Sequence, residues 1–204
     1  MVAVPTTDYV NAEFMRCKVA LMRKLDRDGV EAEEKIIGGT LVYHARNKIV
    51  QMAINENFTH VLWIDSDMVF GPEIMEDLLF CGKDVVCGAF VGRRPPFLPC
   101  IYTDIDVFPM ERVHEFGTEP FRVDGCGFAM VMTKVDVLRK VKEEFGTCFN
   151  PTEKHGEDLA FCKRLKQLGI EIWCDPTVRP GHIAHIPVYA GEDVFGGLFG
   201  CNAC

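Results

Sequence analysis

The sequence contains no apolar run near the roughly 20 residues that a membrane-spanning helix needs. No basic segment leading into an apolar stretch follows Met1. The chain goes straight into Val2-Ala3-Val4-Pro5, so no signal peptide is expected. Positive charge is in deficit: 22 Lys and Arg stand against 30 Asp and Glu, for a formal net charge of −8. That balance argues against a broad nucleic-acid-binding face and leaves room only for a local basic patch. No glycine- and lysine-rich phosphate loop follows the first apolar stretch; Pro5-Thr6-Thr7-Asp8 stands there instead. Internal repeats, low-complexity tracts and linkers are missing too. These absences point to a soluble, cytoplasmic protein, or one peripheral to a membrane. With 204 residues, one domain spanning 1–204 is the simplest organisation, with 196–204 a flexible tail.

Cysteine, in contrast, is plentiful, at ten residues. With no secretion signal these read as reduced thiols rather than a disulfide framework. Most sit in apolar surroundings, as Cys87 does in Val85-Val86-Cys87, where cysteine acts as a small hydrophobe. Cys201-Asn202-Ala203-Cys204 is a C-x-x-C without a second ligand pair at zinc spacing, which places it in a loose tail.

The chain turns on His60-Val61-Leu62-Trp63-Ile64-Asp65-Ser66-Asp67. The apolar run reads as a strand buried on both faces, as in a parallel sheet. Two carboxylates at its end are too costly to bury unpaired. They fall where open α/β sheets bind ligands. Alternate positions along a strand point the same way, so Asp65 and Asp67 can share one hard cation. Capping the next helix, near Pro72, is the plainer reading of the same pair.

Around this strand, apolar stretches alternate with helical patterns. Strands are expected at 2–4, 33–37, 84–90 and 170–174, and helices at 9–27, 45–56, 73–80, 134–145 and 159–168. Residues 97–102 read as a further strand and 103–119 as irregular. The alternation implies an α/β domain with a mostly parallel central sheet and helices on both faces. Four features remain for chemistry: the basic loop Gly92-Arg93-Arg94-Pro95-Pro96, the segment Gly125-Cys126-Gly127-Phe128, the pair Glu157-Asp158 opening a helix, and Gly181-His182 with His185 close behind.

In this order, the Pro-Thr turn after the first strand, Asp65-Ser66-Asp67, the glycine segment, Glu157-Asp158 and Gly181-His182 resemble a glycosyltransferase of the GT-A (Rossmann-like) fold. The likeness covers nearly the whole chain and is greatest to small stand-alone members with an inverting-type Glu-Asp pair. It implies transfer of a sugar from a nucleotide-diphosphate sugar to an acceptor hydroxyl, with Mn²⁺ or Mg²⁺ as cofactor. Asp67 would be the first metal ligand, with His182, or His185 in its place, completing the coordination. Asp65 would bind ribose or share the metal through water, beside Ser66. Asp158 would be the general base and Glu157 would orient the acceptor. Pro5, Thr6 and Asp8 fall where the family binds base and ribose. Arg46 implies a donor contact, because a cation at a helix start needs an anion nearby. Arg93 and Arg94 suit a diphosphate or an anionic acceptor. Gly125 and Gly127 would let backbone approach donor or acceptor closely.

Few residues follow His182, so the acceptor pocket would be open, completed by 103–119 or by another subunit, with 196–200 folding over as a lid. The acceptor could be a saccharide, a lipid-linked sugar, a protein side chain or a modified nucleobase. A retaining enzyme, a nucleotidyltransferase and a non-catalytic sugar-nucleotide-binding module are the competing readings.

Overall fold

The computed structural model describes residues 1–7 and 9–184. Asp8, His185, the C-x-x-C and the tail expected to act as a lid lie outside the described residues. Among those described, no helix is long and apolar enough to cross a membrane, and the eight cysteines are all free thiols.

The chain opens with β1 (Val2–Pro5), α1 (Ala12–Arg27), β2 (Glu34–Ile37), α2 (Val42–Asn55) and β3 (His60–Ile64). Next come β4 (Met68–Val69), α3 (Ile74–Phe80), β5 (Val85–Gly88), β6 (Ile101–Asp104), β7 (Glu111–Arg112) and β8 (Phe121–Val123). The last third carries β9 (Gly125–Cys126), β10 (Met130–Lys134), α4 (Val135–Phe145), α5 (Glu157–Gln167), β11 (Ile172–Asp175) and β12 (Gly181–His182). The central sheet has seven strands in the order β2-β1-β3-β10-β5-β11-β8. Strands β2, β1 and β3 are mutually parallel, as are β5 and β11. β10 runs antiparallel to both β3 and β5, and β8 antiparallel to β11. The expected mostly parallel α/β sheet is therefore present. Helices flank it in two groups: Lys24 of α1 pairs with Glu76 of α3, while α2 packs on α4 and α4 on α5.

Local chemistry sets the helix limits. α1 starts at Ala12 rather than Tyr9, because the Asn11 Oδ1 accepts from the Glu13 N–H at 2.8 Å and caps the first turn. Its buried residues Phe14, Lys18, Leu21 and Leu25 fall on one stripe, and Gly29 at φ +71° ends it. α2 starts a turn earlier than expected, at Val42. Arg46 thus lies beyond the first turn, and something other than a helix terminus must account for its charge.

Two smaller pairings were not foreseen. Residues 103–119 are not wholly irregular: β6 and β7 join β9 in a three-stranded sheet ordered β7-β6-β9. These strands are too short for alternation to mark them. β12 pairs antiparallel with β4, setting Gly181 against Val69 and His182 against Met68, while the Ile183 N–H donates to the Asp67 carbonyl at 2.8 Å. That pairing carries a histidine from late in the chain to the end of β3.

Asn47 on α2 holds the segment between α4 and α5. Its Oδ1 accepts from Thr147 Oγ1 at 3.2 Å and from the N–H groups of Cys148 and Phe149 at 3.2 and 3.0 Å. Asn47→Ala leaves these donors unmet, and urea denaturation should show a loss of about 1–3 kcal/mol.

Candidate functional site

β1 and β3 are parallel neighbours, so their carboxyl ends open on the same side of the sheet. β10 enters from that side, with the Asp65 N–H donating to the Ala129 carbonyl at 3.1 Å. The amino terminus of α5 also faces it. Where they meet lies a cavity of ≈770 Å³. Pro5, Thr6, Arg46, Asp65, Ser66 and Asp67 line it. Arg93, Arg94, Glu157 and Asp158 complete the wall, so most of the residues singled out from sequence share one space. Thr6 Oγ1 donates to Ser66 Oγ at 3.0 Å and ties the first loop to the Asp-Ser-Asp turn.

At the back of the cavity is Arg46, only 1% exposed. Its Nη2 donates to Asp65 Oδ1 at 3.1 Å and lies 3.4 Å from Asp158 Oδ1, and its Nη1 donates to the Phe128 carbonyl at 3.2 Å. The Phe128 N–H in turn donates to Asp158 Oδ2 at 3.1 Å. The guanidinium also sits 5.4 and 5.8 Å from the ring centroids of Phe128 and Phe149. Those rings belong to an aromatic cluster with Trp63 and Phe161, in which Phe149 and Phe161 stack at 4.7 Å. One arginine thus joins the Asp-Ser-Asp strand, the β9–β10 segment and the start of α5. Two partly buried acids at the back of the cavity, not a helix terminus, hold its charge.

Burial pushes the Asp65 carboxyl up to about 6, outweighing the pull of Arg46. Burial also pushes Glu157 up, with the neighbouring Asp158 adding to it. Asp67 differs: burial opposes its charge, but His182 and Arg93 outweigh that and hold its carboxyl below the usual range. Asp67 Oδ2 is ion-paired with Arg93 and lies 3.3 Å from His182 Nε2.

The His182 geometry tests whether a metal fits. His182 Nδ1 lies 2.9 Å from the Val91 carbonyl, which can only accept, so Nδ1 carries the proton. In the neutral ring, Nε2 then presents a lone pair to the Asp67 carboxylate. A proton or a divalent cation resolves that opposition, and a backbone carbonyl that fixes the tautomer is the usual support of a metal-binding histidine. Asp67 and His182 therefore fit Mn²⁺ or Mg²⁺. Asp65 turns instead toward Arg46.

A second acidic group looks like a metal site by spacing alone. The ligand atoms of Asp104, Asp106 and Asp124 lie within 4.8 Å of one another. Lysines already neutralise it: Lys163 and Lys166 bind Asp106, whose carboxyl they hold down to about 2, and Lys166 binds Asp124 at 2.8 Å. None of the three lines the large cavity.

Gly125 and Gly127 do not line that cavity either. A Cβ on Gly125 would lie 2.8 Å from Ile105 Cγ2 and 3.2 Å from Leu159 Cδ2; one on Gly127 would lie 3.3 Å from Cys100 Cβ and from Phe90. Close packing, rather than a ligand, explains both. His182 lines a second, adjoining cavity that also takes in Arg93 and Arg94. Sequence reasoning missed the two backbone groups of Phe128, which carry no sequence signal. It also missed Tyr9, 86% exposed at the mouth of the large cavity.

Comparison with known proteins gives a likeness of fold. No family model matches the chain, and no curated protein matches it. Among solved structures it is similar to A197 from STIV, at 19% identity and a TM-score of 0.65, covering 90% of this chain and 85% of that one. It is also similar to GalNAc-T7 crystallised with UDP, GalNAc and Mn²⁺, at 13% identity and a TM-score of 0.59. That match covers 94% of this chain and 45% of the other, so this chain spans under half of that protein. The chain therefore has a GT-A-like fold.

Arg46→Met removes the shared cation and leaves Asp65 and Asp158 facing each other across an apolar floor. Chemical denaturation should show a loss of about 3–5 kcal/mol, partly recovered by adding Asp65→Asn.

Proposed function

We propose that the chain is a single-domain glycosyltransferase that moves a sugar from a nucleotide-diphosphate sugar to an acceptor hydroxyl, with inversion at the anomeric carbon. The observation that carries this reading is convergence. Residues from the ends of β1 and β3, the loop after β5 and the start of α5 surround one cavity, and a buried arginine fixes the acids at its back. The fold shared with a structure crystallised with UDP and Mn²⁺ supports it.

In this reading the nucleoside lies along Pro5, Thr6 and Ser66, with Tyr9 offering a ring face to the base. Asp8, between Thr6 and Tyr9 in sequence, is assigned to the nucleoside with them. Asp65, held by Arg46, accepts from the ribose. Asp67 and His182 hold the divalent ion. When bound, such an ion supplies Lewis-acid stabilisation of the negative charge that builds on the departing diphosphate. Arg93 adds a guanidinium contact to the same phosphates.

Asp158 takes the proton from the acceptor hydroxyl. Its Oδ1 is buried against Arg46, and its Oδ2 is anchored by the Phe128 N–H, so the carboxylate is fixed before substrate arrives. The 28% of that side chain left exposed is its approach from the cavity. Glu157, half-buried beside it, orients the acceptor. A proton-accepting carboxylate on the opposite side of the donor from the leaving group is what inversion requires.

The test is thermal melting with nucleoside diphosphates and their sugars, with and without Mn²⁺, on wild type and Asp67→Ala. At one hundred times Kd a donor should raise the wild-type Tm by about 5–11 °C. The shift should need Mn²⁺ and shrink sharply in Asp67→Ala. If no nucleotide raises the Tm under any condition, the reading is wrong.

A further inference from the structure

The second cavity, of ≈420 Å³, lies beside the large one, and Arg93 and Arg94 line both. The large cavity mixes acids with arginines, and the second one differs from it. The large cavity contains Asp65, Asp67, Glu157 and Asp158; among the described residues, no Asp or Glu lines the second one. Three arginines and a histidine do, in a chain whose net charge is −8. In so acidic a protein, a cavity whose charged lining is cationic among the described residues marks an anion site.

The arginines are not equivalent. Arg93 is engaged by Asp67. Arg94 is exposed on the loop made stiff by Pro95 and Pro96, and makes no ion pair among the described residues. Arg112 comes from β7. Its guanidinium lies 4.7 Å from the Tyr102 ring centroid and donates to the Pro99 carbonyl, so it is clamped in place. A stacked, anchored guanidinium loses little entropy when it binds an oxyanion. Burial pushes the Tyr102 phenol up, so its hydroxyl stays a donor. Arg94 and Arg112, neither paired with an acid among the described residues, match the charge of about −1.5 to −2 on a phosphate monoester better than that of a single carboxylate. Leu98, Pro95 and Pro96 supply apolar surface beside them.

We propose that this second cavity docks the acceptor, and that the acceptor carries a phosphate monoester held between Arg94 and Arg112. The acceptor role rests on the glycosyltransferase reading; the phosphate preference rests on the arginines. A phosphorylated saccharide and a lipid phosphate offer the same group, and the probes below separate them.

Calorimetric titration of the full chain, with and without Mn²⁺ and the best-binding nucleoside diphosphate, would use two pairs of probes: glucose 6-phosphate against glucose, and decyl phosphate against decanol. At least one phosphorylated probe should bind about tenfold or more tighter than its uncharged partner. Arg112→Ala should weaken it by about tenfold while leaving nucleotide affinity unchanged, and Arg94→Ala should weaken it too. The pair showing the difference identifies the acceptor as sugar-like or lipid-like. Equal binding within both pairs, or phosphate binding that survives both substitutions, overturns the proposal. Nucleotide binding without probe binding overturns the phosphate preference alone. Phosphate binding through Arg112 with no nucleotide binding overturns the glycosyltransferase reading, and the acceptor role with it.

Discussion

A buried guanidinium organises this molecule. Arg46 is almost wholly removed from water, yet it contacts Asp65, Asp158 and the Phe128 carbonyl at once. A charge in such a place is tolerable only if counter-charge and hydrogen bonds replace the lost water. Those partners come from three segments far apart in sequence, so satisfying one side chain fixes their relative positions. The aromatic cluster beneath it is the floor that makes the arrangement rigid, with rings from β3, the β9–β10 segment, the α4–α5 segment and α5 packed against one another. Asn47 and Arg164 hold the α4–α5 segment by its backbone: Arg164 donates to the carbonyls of Cys148 and Asn150 at 2.8 and 2.7 Å.

Sheet topology does the rest. Parallel β1 and β3 open their carboxyl ends together, and antiparallel β10 returns Phe128 to the same edge. The short β4–β12 pairing adds His182 to the end of β3. The result is a division of labour between the two aspartates of Asp65-Ser66-Asp67. Asp65 faces inward and serves the scaffold through Arg46. Asp67 faces the cavity mouth, where Arg93 and His182 hold it in its charged form. Two cavities adjoin there and share Arg93 and Arg94: one holds four acids beside its arginines, and the other has no Asp or Glu among the described residues.

Much of this was legible in the sequence, for physical reasons. The five-residue β3 is buried along its length, so its apolar run stands out, and carboxylates at its end had to be functional or paired. Asp65 proved to be paired, and Asp67 sits with the histidine that its position suggested. What stayed hidden was whatever depends on backbone or on distant partners. The antiparallel sense of β10 leaves no mark on an apolar stretch. β7 and β9 are two residues each. The need for Gly125 comes from Ile105 and Leu159, neighbours only in the folded chain. The sequence marks Arg46 as a cation in need of an anion, and the structure supplies two, Asp65 and Asp158, at the back of the cavity. The arginine-lined cavity is invisible in the sequence because Arg94, in the loop after β5, and Arg112, on β7, come to one cavity only in the folded chain.

The most direct measurement is release of nucleoside diphosphate from a panel of nucleotide sugars, by wild type and by Asp158→Asn, with affinity for each measured on both. The account predicts turnover by wild type and a fall of about 10²–10⁴-fold in the variant at unchanged donor affinity, the range expected when a general base is lost. A wild type that binds the donor and releases no product with any acceptor, or a variant as fast as wild type, would contradict it and leave a sugar-nucleotide-binding module on this fold.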